Sequence, residues 1–322
     1  MKICLILPYF GKFDSLFPMW LESCKYNHNI DWIIFTDDKT HYKYPHNVKV
    51  LYTDFETFRG KVQSFFDFTI SLETPYRLCN FKPAYGELFE TYISNYDAWG
   101  FCDNDMIFGN IEKNIPKLAS DKFKIGKFGH LTILPNDKGA RTIYRYKNAY
   151  KIAFSIPQPL FFDEISYSKI LAKNGYTEYK LKIADLKPRV KHFHILNEDK
   201  ENNKAQCFVW DKGTLLRYYL DKKKRIKTQE YAYIHFLKRP IRANDNLDFS
   251  KPIVIVPNRI YNISLEMITP DFLQKINKRG VFFDYWKNSM KPQNLYERIL
   301  NRLYRNRLNR NLIDKMNTII NH

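Results

Sequence analysis

The sequence predicts an α/β protein with a mixed, mainly parallel sheet that is flanked by helices. Short, continuous apolar runs such as Ile3–Leu7 are typical of strands that are buried on both faces. Helical patterns alternate with these runs, as they do in proteins with parallel sheets. Aspartates follow several of the runs, among them Asp37, Asp38, Asp103 and Asp105. Ligands of α/β proteins bind at this end of the strands.

Local patterns justify each element in the first third of the chain. Pro8 ends the first apolar run, and Pro83 is well placed in the first turn of a helix. We expect strands at Ile3–Leu7, Trp32–Thr36, Val48–Tyr52 and Trp99–Cys102, and helices from Asp14 or Ser15 to about Tyr26, from Phe55 to Phe66 and from Lys82 onward.

The remaining two thirds continue this alternation with less regularity. Thr269 and Pro270 begin a helical pattern that ends at Gly280. We predict a catalytic domain over 1–260 and a C-terminal helical extension over 261–322. Further strands are predicted at His130–Leu134, Tyr231–Leu237 and Ile253–Val256, and further helices at Asp137–Ala153, Asp163–Asn174 and Pro270–Gly280.

The tail from about Leu295 to Ile320 has an apolar helical stripe opposite several arginines. Basic amphipathic helices bind anionic membrane surfaces. The same pattern also fits a terminal helix that packs on its own domain, or a dimer contact. Membrane binding, packing on its own domain and a dimer contact all stay open at this point.

Charge and cysteine content restrict the partners and the compartment. The net charge of +18 favours anionic partners such as nucleic acid, anionic lipid or phosphorylated small molecules. The five cysteines have no metal-site or redox spacing, which favours a reducing compartment. No apolar run approaches the roughly 18 residues of a membrane span. We therefore expect a cytoplasmic protein, with a peripheral position on the inner face of the membrane as one option.

The segment WGFCDNDMIFG places Asp103 and Asp105 one residue apart in an apolar run. Burying charge is costly unless the charge is paired or binds a cation. Carboxylates at the end of a strand suit Mg²⁺ or Mn²⁺, which often carry substrate phosphates. An acidic turn between two strands would give the same pattern.

Two more segments add candidate binding residues. His235 lies in the apolar run of YIHFLKR, and Lys238 follows it. Histidine is a suitable further ligand for Mn²⁺, and a neighbouring lysine can neutralise a diphosphate. Lys82 precedes a predicted helix start, where anions collect. A buried core histidine and ordinary solvated lysines are the structural alternatives.

Taken in order, ILPYFGKFDSLFPMWLESC, DWIIFTDD, LCNFKPAYGELFE, YDAWGFCDNDMIFGNI, FFDE and YIHFLKR resemble bacterial GT-A type glycosyltransferases of capsule, O-antigen and exopolysaccharide gene clusters. The resemblance covers most of residues 1–240. It implies the nucleotide-diphospho-sugar transferase fold, a Mn²⁺ or Mg²⁺ ion, and a nucleotide-sugar donor, with a UDP-sugar favoured. The implied acceptor is a glycan or a lipid-linked glycan.

The resemblance also assigns roles to individual residues. Asp105 and His235 would ligate the metal, and Asp103 would contact the metal or the donor ribose. Lys238 would meet the diphosphate, and Lys82 would lie near the donor sugar and phosphate. The nucleotide base and ribose would contact Tyr9, Phe10, Thr36 and Asp37.

The FFDE segment supplies candidates for a catalytic base. An inverting glycosyltransferase needs a general base to deprotonate the acceptor hydroxyl, and Asp163 and Glu164 could serve. Asp163 is equally well placed to cap the helix predicted after it. A retaining enzyme requires no such base.

Three other functions compete with glycosyl transfer. A basic nucleic-acid-binding protein would explain the charge and the aromatic content, but no nucleic-acid-binding motif is present and we expect no nucleic acid partner. A metal-dependent phosphohydrolase or nucleotidyltransferase could use the same carboxylates. A catalytically silent interaction protein is the third alternative.

Overall fold

The computed structural model describes residues 1–158, 160–187, 193–196, 205–237, 239, 241–276 and 310–321. Their architecture is α/β, with mixed sheets flanked by helices. The strands are β1 (Ile3–Pro8), β2 (Ile30–Thr36), β3 (Val48–Tyr52), β4 (Ala98–Cys102), β5 (Met106–Phe108), β6 (Phe123–Ile125), β7 (Leu131–Pro135), β8 (Thr177–Tyr179), β9 (Ile183–Asp185), β10 (Gln206–Asp211), β11 (Thr214–Leu220), β12 (Ile226–Glu230), β13 (Tyr233–His235), β14 (Arg242–Ala243), β15 (Ile253–Val256) and β16 (Arg259–Asn262).

The largest sheet has seven strands in the order β3-β2-β1-β4-β7-β6-β8. β3, β2, β1 and β4 are mutually parallel, as their continuous apolar runs predict. β7 runs antiparallel to β4, so the sheet is mixed. Alternate side chains of β1 enter different cores, with Cys4 and Ile6 in one and Leu5 in the other. Both faces of the sheet are therefore covered.

The helices that cover these faces are shorter than the sequence predicts. The helix expected from Lys82 is a series of short turns that begins at Pro75, and a 3-10 turn spans Lys82–Ala84. The single helix predicted over Asp137–Ala153 is wrong, because Lys147 and Asn148 adopt positive φ and interrupt it. The α-helices are α1 (Phe17–Cys24), α2 (Phe55–Gln63), α3 (Leu78–Phe81), α4 (Tyr85–Leu88), α5 (Glu90–Ile93), α6 (Ile111–Asn114), α7 (Lys138–Thr142), α8 (Ala149–Ser155), α9 (Ser166–Lys173) and α10 (Pro270–Ile276).

A second, six-stranded sheet has the order β12-β11-β10-β15-β16-β14, and the sequence predicts only its strand β15. Four of its strand pairs are antiparallel, namely β12-β11, β11-β10, β10-β15 and β15-β16. The predicted domain boundary at residue 260 falls inside β16. Leu273 and Ile276 of α10 pack in the core of this sheet.

A three-stranded sheet, β5-β13-β9, lies beside the end of β4. β13 is antiparallel to β5 and parallel to β9. β13 is shorter than the strand predicted at Tyr231–Leu237, because its ladder ends at His235. This small sheet carries much of the candidate site.

Residues 310–321 are helical and pack on the core. Met316 and Ile320 are buried there, and the Lys173 ammonium donates to the carbonyl of Ile320 at 2.7 Å. This part of the tail therefore packs on its own domain. Residues 295–309 of the predicted stripe, and Gly280, lie outside the described residues. Among the described residues, no helix is long and apolar enough to cross a membrane.

Candidate metal centre

Strand pairing assembles the candidate metal centre. Asp103 directly follows β4, and Asp105 directly precedes Met106, the first residue of β5. His235 of β13 pairs with Met106 on one side and with Asp185 of β9 on the other. The backbone N–H of Phe236 also donates to the Asp105 carbonyl at 2.9 Å. Three strand ends thereby bring carboxylates to both sides of one histidine.

His235 is the centre of this cluster. Its Nε2 lies 3.4 Å from Asp105 Oδ1, and its Nδ1 lies 2.9 Å from Asp185 Oδ1. One ligand atom each from Asp103, Asp105 and His235 lie within 4.8 Å of one another. Carboxylate oxygens with an imidazole nitrogen suit Mn²⁺ or Mg²⁺. The donor set therefore fits the metal ion that the sequence predicts.

The charge around His235 is strongly negative. Burial by itself lowers the pKa of His235, but hydrogen bonds to Asp105 and Asp185 outweigh it and raise the pKa to about 10. The metal-free cluster thus attracts a proton. A divalent cation would compensate the same negative charge, and proton and cation would compete for Nε2.

Lys82 forms the second half of the cluster. Its ammonium lies 2.6 Å from Asp103 Oδ1 and 3.2 Å from Asp163 Oδ2, and it donates to the Gly129 carbonyl at 2.9 Å. Burial lowers the pKa of Lys82, but the negative charges of Asp103 and Asp163 raise it well above its ordinary value. Lys82 is therefore a fixed cation beside Asp103. It is not a solvated lysine.

Asp163 is buried next to Lys82, with 3% of its surface exposed. Burial raises its pKa to about 7, although the positive charge of Lys82 opposes this shift. Its Oδ1 has no hydrogen-bond partner among the described residues. The alternative role as a helix cap is wrong, because α9 begins at Ser166 with Ile165 at the cap position.

Glu164 lies at the solvent side of the same turn. The residue is exposed, and partial desolvation raises the pKa of its carboxyl, with the charge of Asp103 adding to the shift. A Cβ at Gly129 would overlap the side chains of Asp163 and Glu164. This position therefore needs glycine for the acidic turn to approach the cluster.

The residues predicted to bind the nucleotide do not share one environment. Phe10 is only 8% exposed and packs edge-on against Phe55 in the core. Thr36 is buried, and its hydroxyl accepts from the Asp38 backbone N–H at 3.1 Å.

The other two residues predicted to bind the nucleotide lie in loops. Tyr9 follows β1, and Asp37 follows β2. Asp37 Oδ1 accepts from the Gly11 N–H at 2.7 Å, and the half-buried Tyr9 donates from its hydroxyl to the Lys12 carbonyl at 3.2 Å. The structure therefore leaves Tyr9 and Asp37 near solvent, and Phe10 and Thr36 in the scaffold. Lys238 lies outside the described residues.

Sequence reasoning missed two residues of the cluster, Asp185 and His130. The His130 ring stacks on the His235 ring with centroids 4.1 Å apart, and its Nδ1 lies 3.2 Å from the Tyr233 hydroxyl. Burial lowers the pKa of His130 well below its ordinary value, which keeps the ring neutral. Its Nε2 has no hydrogen-bond partner among the described residues. Asp185 follows only two apolar residues, so no local pattern marked it as Asp103 was marked.

Comparisons with known proteins place the chain in a family whose function is unknown. No curated protein matches it. The family model described as "Family of unknown function (DUF6625)" matches residues 5–264. This range includes Lys82, His235 and every other described residue of the cluster, and it ends before the tail. Since the match covers well over half of the 322 residues, the chain belongs to this family of unknown function, DUF6625.

Proposed function

We propose that this protein is a metal-dependent glycosyltransferase of the GT-A type. It would transfer a hexose from a UDP-sugar to a glycan acceptor in the synthesis of a bacterial surface polysaccharide. The observation that carries the proposal is the joining of Asp103, Asp105 and His235 at strand ends beside the buried cation Lys82. The ordered resemblance of residues 1–240 to such transferases supports the choice of reaction.

The residues of the cluster divide into a metal side and a phosphate side. Asp105 and His235 would hold Mn²⁺ or Mg²⁺, with Asp103 at the boundary between the two sides. The bound ion would compensate the negative charge of the departing nucleoside diphosphate. Lys82 is fixed by Asp103 and Asp163, so its charge is preorganised for a donor phosphate or sugar oxygen.

The acidic turn would serve the acceptor. Glu164 is accessible, and its raised pKa suits a group that takes a proton from a hydroxyl. Asp163 is buried against Lys82, so we assign it the positioning of that lysine. We therefore prefer Glu164 to Asp163 as the base of an inverting reaction. A retaining reaction would leave Glu164 with a binding role only.

The alternatives differ in what they require of this cluster. A nucleic-acid-binding protein would use exposed basic side chains and has no need of a buried lysine held among carboxylates. A phosphohydrolase or nucleotidyltransferase would use the same metal side on another substrate. Product identity separates these enzymes, because only a glycosyltransferase releases UDP in step with acceptor glycosylation.

The test combines binding with turnover. We expect UDP with Mn²⁺ to raise the thermal midpoint of the protein, and a panel of UDP-sugars to identify one donor that is turned over. Asp105→Ala should lower metal-dependent transfer by about 10³-fold, the scale expected when charge stabilisation is lost. Asp67→Asn is the matched control, since Asp67 is exposed and pairs only loosely with Lys151 at 3.6 Å.

Three results would contradict the proposal. Stabilisation by oligonucleotides but not by UDP with Mn²⁺ would favour the nucleic-acid reading. Full transfer activity in Asp105→Ala would remove the site assignment. Metal-dependent cleavage of phosphate esters with no sugar transfer to any acceptor would favour a phosphohydrolase.

A further inference from the structure

Asp185 lies directly opposite His235 in the parallel ladder between β9 and β13. Paired residues on neighbouring strands project to the same side of the sheet, with the strands about 4.8 Å apart. The backbone of Asp185 is fixed on both sides of this pair. The Leu186 N–H donates to the His235 carbonyl at 2.9 Å, and the Leu196 N–H donates to the Asp185 carbonyl at 2.7 Å. The carboxylate is therefore delivered to His235 by rigid strands.

The two ring nitrogens of His235 face different carboxylates. Nδ1 is 2.9 Å from Asp185, a short hydrogen-bond distance, whereas Nε2 is 3.4 Å from Asp105. A carboxylate that accepts from Nδ1–H keeps a proton on that nitrogen, so Nε2 is the nitrogen that can give up its proton and offer a lone pair to a cation. Nε2 faces the side of Asp105 and Asp103, where ligand atoms converge.

His130 restricts the same ring from its face. The two imidazoles stack at 4.1 Å with an angle of 27° between their planes, and the Tyr233 hydroxyl holds His130 in turn. The His235 ring is thus fixed at its edge by Asp185 and across its face by His130. Rotation of the ring would break the Nδ1 contact and disturb the stack.

We propose that Asp185 is a positioning residue, which accepts the Nδ1–H of His235 and so presents Nε2 as a metal ligand. The inference rests on the proposed function, since it assigns a partner to a residue of the same metal centre. Direct ligation by Asp185 is the competing arrangement, because ligand atoms of His130, Asp185 and His235 also lie within 4.8 Å of one another. Asparagine at residue 185 distinguishes the two, because its amide oxygen still accepts from Nδ1–H but lacks the negative charge of a ligand carboxylate.

The experiment measures Mn²⁺ binding by the full chain without any substrate. Electron paramagnetic resonance of free Mn²⁺ gives the dissociation constant, and the electron spin echo of bound Mn²⁺ detects a directly bound imidazole nitrogen. We expect Asp185→Ala to weaken Mn²⁺ binding by about 10- to 100-fold and to reduce the nitrogen coupling. Asp185→Asn should keep the affinity within a few-fold of wild type and retain the coupling. His235→Ala defines the signal without the imidazole, and Asp67→Asn is the surface control.

Each outcome decides between the arrangements. Wild-type affinity and coupling in Asp185→Ala would overturn the positioning role and leave the proposed function intact. Equal loss of affinity in the Ala and Asn variants, with the nitrogen coupling kept in both, would identify Asp185 as a direct ligand. Wild-type protein that binds no Mn²⁺ would defeat the proposed function and this inference with it. If Asp185→Ala does not fold by circular dichroism, Asp185→Leu, which keeps the branching at Cγ without an acceptor, carries the same expectation.

Discussion

Arg217 in the six-stranded sheet and Lys82 in the metal centre are both buried cations, but their surroundings differ. Arg217 is fully buried, donates from Nε to Gln206 at 2.7 Å and stacks on Tyr219 with its guanidinium 4.4 Å from the ring centroid. Among the described contacts of the guanidinium are a neutral amide and an aromatic ring. Gln206 donates in turn to the Phe193 carbonyl at 2.8 Å. This polar group is satisfied by the protein itself.

Lys82, by contrast, lies within a cluster of carboxylates. Asp103 and Asp163 both contact it, and Asp105 and Asp185 lie around His235 nearby. Asp163 Oδ1 and His130 Nε2 in this cluster are among the buried polar atoms that have no hydrogen-bond partner within the described part of the chain. Buried polar groups are normally hydrogen-bonded, so two such atoms beside the proposed metal ligands support a place for a ligand there. The comparison separates a charge that supports the fold from the cluster that we propose as the metal centre.

The largest effect on stability should come from breaking the Arg217 group. Arg217→Leu leaves Gln206 without its charged partner, so we expect the free energy of unfolding to fall by about 3 kcal/mol. Mn²⁺ affinity should not change, because no described contact joins Arg217 to the metal centre. Urea unfolding and Mn²⁺ titration measure the two effects.

The matched control is Arg225→Leu. Arg225 is exposed and pairs with Asp221 four residues before it at 2.8 Å, so its loss should cost less than about 1 kcal/mol. Equal losses in the two variants, or weaker Mn²⁺ binding in Arg217→Leu, would break the distinction between fold and site.

An intermediate effect should come from Asp163, and it should depend on pH. Burial raises the folded-state pKa of Asp163 from 3.8 to about 7, against the opposing charge of Lys82. The stability contributed by protonated Asp163 is therefore complete below the unfolded pKa and is lost as the pH rises through about 7. Asp163→Asn has no such loss. Between about pH 5.5 and pH 8, the upper part of this range, the stability of the variant relative to wild type should rise by about 2 kcal/mol.

Urea unfolding with a chelator present, at several pH values, measures this difference. Asp67→Asn should show a flat difference over the same range, since Asp67 is exposed. If the stability difference between Asp163→Asn and wild type does not change with pH, ionised Asp163 does not destabilise the metal-free protein. The cluster would then not differ from the Arg217 group in energy.

The sequence predicted those parts of the fold in which one element alone carries a clear pattern. Val48–Tyr52 and Ile253–Val256 agree with the structure at both ends. Ile253–Val256 is a continuous, buried apolar run, and Val48–Tyr52 is a mostly apolar run with one lysine that leads into a helix cap at Asp54. β11 and β12 were missed, since charged and polar residues interrupt their antiparallel pattern. β10 was missed although four of its six residues form a continuous apolar run. The tail stripe had two readings, and only tertiary contacts could choose between them.

The residues of the candidate site also differ in whether a local sequence pattern marks them. Asp103, Asp105 and His235 were found because a strand end and a polar residue in an apolar run are local signals. Asp185 and His130 gain their roles from pairing and stacking across strands, which single-sequence patterns do not contain. Phe10 is the opposite case, since the resemblance assigned it to the nucleotide whereas the structure packs it in the core.

The smallest effect on stability should come from Phe10, and it tests whether this residue belongs to the scaffold or to the nucleotide site. Phe10→Leu keeps an apolar side chain but loses the edge-on contacts with Phe55 and Phe58, whose centroids lie 5.2 and 5.1 Å away. We expect a loss of about 1 kcal/mol in the free energy of unfolding and no change in UDP affinity. Tyr9→Leu is the matched variant, because Tyr9 is half-buried in the adjacent loop and stacks on Phe13 at 4.4 Å. It should weaken UDP binding more than Phe10→Leu does. A larger loss of UDP affinity in Phe10→Leu than in Tyr9→Leu would place Phe10 in the nucleotide site. A side chain that acts only through packing should affect UDP binding less than one that contacts UDP.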